Sequence, residues 1–252
     1  MNKKRIIARI DVKNEFAIKG IHLEGLRKVG DPNKMAIKYY EQGIDEIIFM
    51  DAVAAYYDRN SLSDLILKAT ENVFVPITVG GGIRTIDDIK TALKSGADKV
   101  AINTQAIRKP EFITEAVSIF GSQCIVASIE AKKISHGKWE AYTDNGREPT
   151  GLDVIEWVER LSELGVGEIM LTSIDKEGTK KGFDEDLISS MSSKIKVPLI
   201  ICGGAGNYLH IEKVLSNKNV DAVALASVLH YDLIEINTLK EKLVDNEIEV
   251  RI

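Results

Sequence analysis

Short runs of β-branched and apolar residues recur along the chain, and a segment with helical apolar periodicity follows most of them. The runs lack polar alternation, which is typical of strands that are buried on both faces of a parallel sheet. The predicted strands are Arg5–Asp11, Asp45–Asp51, Val75–Gly80, Ala97–Asn103, Gln123–Glu130, Gly167–Ser173, Val197–Cys202 and Val220–Ala226. The predicted helices are Pro32–Gln42, Leu62–Glu71, Ile86–Lys94, Pro110–Phe120, Val154–Leu164, Glu185–Lys194 and Leu209–Leu215. This alternation predicts an α/β fold.

The two halves of the chain resemble each other in sequence. The segment Asp45–Ala52 resembles Gly167–Ile174, and Val75–Gly82 resembles Val197–Gly204, so the members of each pair are 122 residues apart. Two further pairs of segments have nearly the same offset. Four matches in the same order indicate an internal repeat of four strands.

Eight parallel strands in two equivalent halves close most naturally into a barrel. A doubly wound open sheet would also alternate strands and helices, but it predicts no such repeat. We therefore predict a single-domain (β/α)₈ TIM barrel over residues 1–252, with half-barrels at about residues 1–121 and 122–252.

The composition is that of an ordinary folded protein. Of the 252 residues, 44% are hydrophobic and 28% are charged, with a net charge of −5, which excludes the disordered and disulfide-scaffold classes. The acidic balance argues against a nucleic-acid or membrane-surface partner. Cys124 and Cys202 lie in apolar runs, and no run is long enough for a membrane span or an export signal, so we expect a cytoplasmic protein.

The sequence indicates neither a metal site nor a cofactor site. Its four histidines are scattered, and no Cys or His spacing of the kinds that bind zinc occurs. The segment Cys202–His210 lacks the third glycine and the acidic residue of a dinucleotide-binding fingerprint. We therefore expect no metal and no cofactor.

Two glycine turns occupy equivalent strand ends, one in each half. They are Gly80–Gly82 and Gly203 with Gly204, and the next strand of each half ends at Thr104 and Ser227. Glycine lets backbone N–H groups approach an anion closely, and the hydroxyl groups add donors. The active site of such a barrel lies at the carboxyl ends of its strands, so we predict two phosphate cups there.

Two carboxylates lie between the predicted cups. Asp11 and Glu130 end the first and fifth strands, which are equivalent in the two halves. Opposed carboxylates can divide the acid and base roles when their environments separate their pKa values. A substrate with a phosphate at each end would place its middle between them.

Four charged residues lie at the opposite ends of the strands. If Asp11 faces the lumen, strand alternation directs Arg5 into the lumen at the bottom of the barrel. Glu46, Lys99 and Glu168 occupy corresponding strand starts. From the residues alone, this ring of two acids and two bases is expected to be a salt-bridged plug rather than a functional feature.

The chain resembles the HisF family, the cyclase subunit of imidazole glycerol phosphate synthase, along its whole length. The resemblance is carried by RIIARIDVK, KG at Lys19-Gly20, GDP at Gly30-Asp31-Pro32, VGGGIR, GADKVAINT, FGSQC, GREPTG at Gly146–Gly151, GEIMLTSIDKEGT, CGGAG, ALASV and EVRI. It implies a barrel that takes ammonia from a HisH-like glutaminase docked on its N-terminal face. The ammonia reacts with bis-phosphorylated ribulosylformimino-AICAR nucleotide and gives imidazole glycerol phosphate and AICAR ribonucleotide.

The same resemblance implies roles for individual residues, with Asp11 and Glu130 as the acid/base pair and Lys19 in a long, flexible first loop that closes over the substrate. One phosphate site is implied at Gly82, Asn103 and Thr104. The other substrate contacts are expected at Thr172, Glu177, Gly178, Gly203, Gly204, Ala226 and Ser227. The resemblance also implies that the charged ring is an ammonia gate, formed by Arg5, Glu46, Lys99 and Glu168. The side chains expected to face the partner are Asp98 and Gln123.

Three residues depart from the family pattern. Glu130 and Glu177 stand where aspartates are expected, and Arg9 replaces a small residue directly below Asp11. This pattern resembles HisF-like paralogues of surface-polysaccharide clusters, which pass ammonia to a sugar. The residues are also compatible with a HisA-type phosphosugar isomerase and with a non-catalytic phosphate-binding scaffold that activates a glutaminase.

Overall fold

Eight parallel strands close into a barrel in the computed structural model, which describes residues 3–54, 62–191 and 195–251. The barrel strands are β1 (Arg5–Lys13), β4 (Glu46–Asp51), β5 (Ile77–Gly80), β6 (Lys99–Ile102), β7 (Ile125–Ser135), β10 (Glu168–Ser173), β11 (Leu199–Cys202) and β12 (Ala222–Leu225). The ring is closed because each of these strands pairs with the next and β12 pairs with β1. The predicted barrel is confirmed, and each predicted strand overlaps an observed one.

Helices cover the outside of the barrel. They are α1 (Pro32–Glu41), α2 (Ser63–Thr70), α3 (Ile86–Lys94), α4 (Thr104–Arg108), α5 (Glu111–Phe120), α6 (Val154–Glu163), α7 (Glu185–Met191), α8 (Tyr208–Leu215), α9 (Ser227–His230) and α10 (Ile236–Asp245). The predicted helices match to within one or two residues, except that the helix predicted through Lys194 is described only to Met191, because residues 192–194 lie outside the described residues. The short helices α4 and α9 and the last helix α10 were not predicted.

Local sequence explains where several helices begin. Asp31 precedes Pro32 and accepts hydrogen bonds from the N–H groups of Asn33 and Lys34, which satisfies donors that have no partner within the helix. Thr85 and Asp88 form a reciprocal capping box at the start of α3. These contacts fix the first residues of α1 and α3.

The apolar residues form two separate cores. The larger core packs the outer faces of the barrel strands against the helices. The smaller core fills the lumen at mid-height and consists of Ile7, Ile48, Met50, Ala101, Val126, Met170, Ile200, Cys202, Ala222 and Ala224. Both faces of each barrel strand are therefore buried, as the uninterrupted apolar runs predict.

Two antiparallel hairpins rise from the carboxyl-terminal rim and were not predicted. The first follows β1 and consists of β2 (Phe16–Ile21) and β3 (Glu24–Gly30). The second follows β7 and consists of β8 (Lys138–Thr143) and β9 (Glu148–Asp153). The hairpins follow the first and fifth barrel strands. The division of the chain into two half-barrels stays a prediction.

Candidate active site

The carboxylates of Asp11 and Glu130 lie on one rim of the barrel, at the carboxyl ends of β1 and β7. Both side chains are buried. The charge of Asp11 raises the pKa of Glu130, so the two groups interact electrostatically. The Glu130 carboxylate accepts hydrogen bonds from Asn103 Nδ2 at 3.0 Å and from the Gly146 N–H at 2.7 Å. The two acids are thus held by different neighbours.

Arg9 occupies the lumen beneath the acids. Its guanidinium is 1% exposed and donates from Nε to Asp11 Oδ1 at 2.8 Å. A second donor nitrogen contacts Thr172 Oγ1 at 3.1 Å and Cys202 Sγ at 3.5 Å. Strands β1, β10 and β11 are therefore joined through one buried cation, and the Thr172 hydroxyl is engaged by Arg9.

The two carboxyl groups have opposite pKa shifts. Burial raises the pKa of Glu130 to about 7, and the Arg9 charge and the Gly146 N–H only partly oppose it. Burial also acts to raise the pKa of Asp11, but the charges of Arg9 and Lys19 outweigh it and hold that pKa below its usual value. Near neutral pH Asp11 is therefore ionised while Glu130 retains much of its proton, which is the division an acid/base pair requires.

Lys19 lies in β2 of the first hairpin, so the structure corrects the prediction that it lies in a loop. Its side chain is 4% exposed, and its ammonium forms a short ion pair with Glu177 and lies 3.7 Å from Asp11 Oδ2. Two contacts of His22 with backbone carbonyls fasten the hairpin to the rim: its N–H donates to Glu177 O, and its Nδ1 lies 2.9 Å from Ile174 O. The hairpin thus covers the rim in this structure.

The first predicted cup is a cavity on the rim beside Glu130. Gly82, Asn103 and Thr104 all line it, together with Gly81. A Cβ added at Gly81 would lie 2.3 Å from the carbonyl oxygen of Asp51, and φ there is +89°. Only glycine fits this turn, so its backbone N–H groups are presented without side-chain cover.

Of the residues predicted for the second cup, Gly178 and Ser227 line a cavity under the first hairpin, together with Lys19, Arg27 and Lys180. The other predicted residues do not line that cavity; they are Glu177, Gly203, Gly204 and Ala226. A Cβ at Gly203 would lie 3.2 Å from Glu177 Oε2, so that turn packs directly against the Glu177 carboxylate.

Several polar residues of the first cavity were missed from the sequence. Arg108, Asp144 and Asn145 line it, and they belong to α4 and to the turn of the second hairpin, neither of which was predicted. The sequence Asp144-Asn145-Gly146 is a typical hairpin turn between alternating segments and could have revealed this element. Asp51, another strand-end residue on this rim, accepts from the N–H groups of Val53 and Ala54 at 2.9 Å each.

The charged residues at the amino ends of the strands form a closed ring. Arg5 lies 2.7 Å from Glu46 and 3.2 Å from Glu168, while Lys99 lies 3.0 Å from Glu46 and 2.8 Å from Glu168. Each charge therefore contacts two opposite charges. Asp98 and Gln123 are exposed at this same end, at the starts of β6 and β7.

Within residues 3–54, 62–191 and 195–251, no group of three or more His, Cys, Asp or Glu residues is arranged to hold a metal ion. None of the helices in those ranges is both long and apolar enough to cross a membrane.

Comparison with known proteins gives consistent matches over most of the chain. The profile of a protein family described as "Histidine biosynthesis protein" matches residues 5–235. A Legionella pneumophila protein named imidazole glycerol phosphate synthase subunit HisF is 55% identical over 206 residues, which cover 82% of this chain and 97% of that protein. A Bacillus cereus (strain Q1) protein of the same name is 44% identical over 252 residues, the full length of both chains.

Proposed function

The chain belongs to the HisF family of histidine-biosynthesis proteins, and from that premise we propose how its barrel performs the cyclase reaction of imidazole glycerol phosphate synthase. The substrate is the bis-phosphorylated ribulosylformimino-AICAR nucleotide, and ammonia is the second reactant. One phosphate binds in the cup at Gly82, Asn103 and Thr104, and the other binds in the cup at Gly178 and Ser227. The products are imidazole glycerol phosphate and AICAR ribonucleotide.

The observation that carries this proposal is the pair of carboxyl groups, with opposite pKa shifts, on the rim that bears both cups. Condensation of ammonia with the substrate ketone expels one water, so a proton leaves the attacking nitrogen and a proton reaches the departing oxygen. Ionised Asp11 accepts the first proton, and protonated Glu130 donates the second. Closure of the ring then breaks the bond between the formimino carbon and the AICAR nitrogen, and protonated Asp11 returns its proton to that nitrogen, which leaves as the amine of AICAR ribonucleotide. Binding at two remote phosphates holds the reactive centre of the substrate between them.

Steady-state synthesis with the bis-phosphate substrate and excess ammonium salt tests the proposal. We expect imidazole glycerol phosphate to form without any partner protein. Purified protein that makes none, while the Bacillus cereus relative makes it under the same conditions, would contradict the proposal. Isomerisation of the aminoaldose precursor without ammonia would instead favour the HisA-type reaction, and amidation of a sugar would favour the paralogue reaction.

The pH dependence of the rate follows from the two pKa shifts. Since Asp11 has a lowered pKa and Glu130 a pKa of about 7, both groups have the required protonation state only below about pH 7. We expect kcat/KM, which reports the groups of the free protein, to be flat in weak acid and to fall as the pH rises through about 7. The measurement is kcat/KM against pH with the concentration of free ammonia held constant, and a kcat/KM that rises through this range would contradict the assignment of the acid.

The relatives are named as subunits, which supports a complex, and we propose that a HisH-like glutaminase docks at the amino end of the barrel. Asp98 and Gln123 face the partner there. Ammonia would pass the ring formed by Arg5, Glu46, Lys99 and Glu168, whose side chains line the bottom mouth. Above the ring, ammonia would pass the apolar side chains of the lumen, which suit neutral ammonia better than ammonium. It would then have to move past Arg9, which occupies the lumen directly beneath the acids.

Replacement of Lys99 tests the gate. Without this ammonium, Glu46 and Glu168 are held only by Arg5, so the ring opens on one side. We expect Lys99→Met to lower glutamine-driven synthesis relative to ammonium-driven synthesis by about tenfold, or ~1.4 kcal/mol. Lys90→Met, on the exposed face of α3, is the matched control, and an unchanged ratio in Lys99→Met would contradict the gate.

A further inference from the structure

The turn of the second hairpin is attached to the first cup by hydrogen bonds. The N–H of Asp144 donates to Thr104 Oγ1 at 3.2 Å, and the N–H of Gly146 donates to Glu130 at 2.7 Å. Asn103 Nδ2 donates to the carbonyl oxygen of Tyr142 at 3.0 Å. The turn therefore contacts both the residues of the cup and the acid beside it.

Arg108 lies on the opposite side of the turn. It ends α4, the short helix that begins at Thr104, and its guanidinium is 3.3 Å from Asp144 Oδ2. The Asp144 side chain is 14% exposed, whereas that of Arg108 is 63% exposed. The carboxylate is therefore fixed in the wall of the cavity, while the guanidinium reaches it from solvent and is free to change its contact.

In the arrangement of this structure, the polar side chains that line the cavity bind a phosphate unfavourably, because carboxylates are among them. The carboxylates of Asp51 and Asp144 both line it, and like charges oppose a dianion. Asn145 also lines the cavity, and its buried Nδ2 has no hydrogen-bond partner among the residues that the structure describes. A buried donor without a partner is costly unless a ligand supplies the acceptor.

We propose that Arg108 is a phosphate ligand of the first cup, and that it moves from the Asp144 carboxylate, which it contacts in this structure, to the phosphate when substrate binds. Asn145 Nδ2 donates to the same phosphate. The guanidinium fork fits carboxylate and phosphate equally well, so the exchange conserves a charge-assisted contact. The identity of the anion rests on the proposed function, but the exchange itself requires only a phosphate group.

Asp144 thus has two effects on the site. It competes with phosphate for Arg108, and its charge contributes to the raised pKa of Glu130. Once Arg108 leaves it, the Asp144 charge is less neutralised and acts more strongly on Glu130. Occupation of the first cup therefore helps keep the acid protonated when substrate is present.

Calorimetric titration of the full-length protein with inorganic phosphate tests the exchange without any catalytic readout. The two cups give two sites, so the second cup is an internal control. We expect Arg108→Ala to weaken one of the two sites by about tenfold and to leave the other unchanged. We expect Asp144→Asn to tighten that same site severalfold, because the competing carboxylate is removed. Lys109→Ala, which removes the neighbouring exposed cation, is the matched control and should bind phosphate as the wild type does.

Three results would overturn the proposal: both sites unchanged in Arg108→Ala, both sites weakened equally, or an Asp144→Asn site no tighter than in the wild type. Arg108 is exposed, so a thermal midpoint close to that of the wild type is expected and shows that the variant is folded. If wild-type protein forms no imidazole glycerol phosphate but loses one phosphate site in Arg108→Ala, the proposed function fails and the exchange stands. If synthesis proceeds and Arg108→Ala binds phosphate normally, the exchange alone fails.

Discussion

Asp11→Asn is expected to lower kcat for imidazole glycerol phosphate synthesis by about 10³-fold, within the range found for removal of a general acid or base. The amide preserves the size of the side chain and its acceptor oxygen, but it cannot accept a proton near neutral pH. In the proposed complex the substrate is held at its two phosphates, away from Asp11, so KM should change much less than kcat. The measurement is the ammonium-driven steady-state rate, which requires no partner.

The variant also leaves Arg9 without its anionic partner, and loss of one member of a buried ion pair costs about 3–5 kcal/mol. The thermal midpoint should therefore be measured beside the rate, at a temperature where the variant is fully folded. Asp87→Asn on the exposed first turn of α3 is the matched control, with wild-type rate and stability expected. A folded Asp11→Asn variant that retains a tenth of the wild-type rate would show that Asp11 is not the base.

Glu130→Gln is the second substitution with a large expected effect. The glutamine oxygen can still accept from Asn103 and Gly146, so the hairpin turn should stay in place, but no proton is available for the departing oxygen. We expect kcat to fall by about 10²–10³-fold. The decline in kcat/KM near pH 7 should also disappear, because the group with the pKa of about 7 is gone.

The loss of that decline separates a proton donor from a residue that only supports the turn. A structural role would lower the rate at every pH and leave the profile unchanged. Glu148→Gln, on the exposed β9 of the same hairpin, should behave as the wild type does. Should Glu130→Gln keep the decline near pH 7, another group would have to be the acid.

The barrel itself was predictable because each of its strands is buried on both faces and therefore appears as an uninterrupted apolar run. The run that ends at Asp11 and the run that ends at Glu130 define β1 and β7, and a parallel barrel brings those ends to one rim. The glycine turns could also be predicted from the sequence, because the backbone there leaves no room for a side chain. At Gly81 a side chain would collide with the backbone of Asp51.

The hairpins were not predictable from the same pattern. Residues of β2 and β3 are partly exposed on the rim, so hydrophobic periodicity marks them weakly, and the strand pairing that orders them is a tertiary effect. The burial of Lys19 follows from that pairing, since its ammonium reaches Glu177 and Asp11 across the rim. The contact between Arg108 and Asp144 could not be predicted either, because the position of the second hairpin also depends on tertiary strand pairing.

At Arg9, the sequence predicts the face of the strand on which the side chain lies but not its contacts. Strand alternation places it on the lumen face with Asp11, two residues away. Its contacts with Thr172 and Cys202 come from strands far along the chain, and only the closed barrel brings these together. Its effect on the pKa of Asp11 therefore emerges from the tertiary structure, although the charge is visible in the sequence.

The most direct test of the proposed mechanism is a crystal structure of the Asp11→Asn variant with the bis-phosphate substrate bound. We expect one phosphate at Gly82, Asn103 and Thr104 and the other at Gly178 and Ser227. The ketone carbon should lie between residue 11 and Glu130, with the ketone oxygen within hydrogen-bond reach of Glu130. Phosphates bound elsewhere, or a substrate whose reactive carbons lie away from both side chains, would contradict the mechanism.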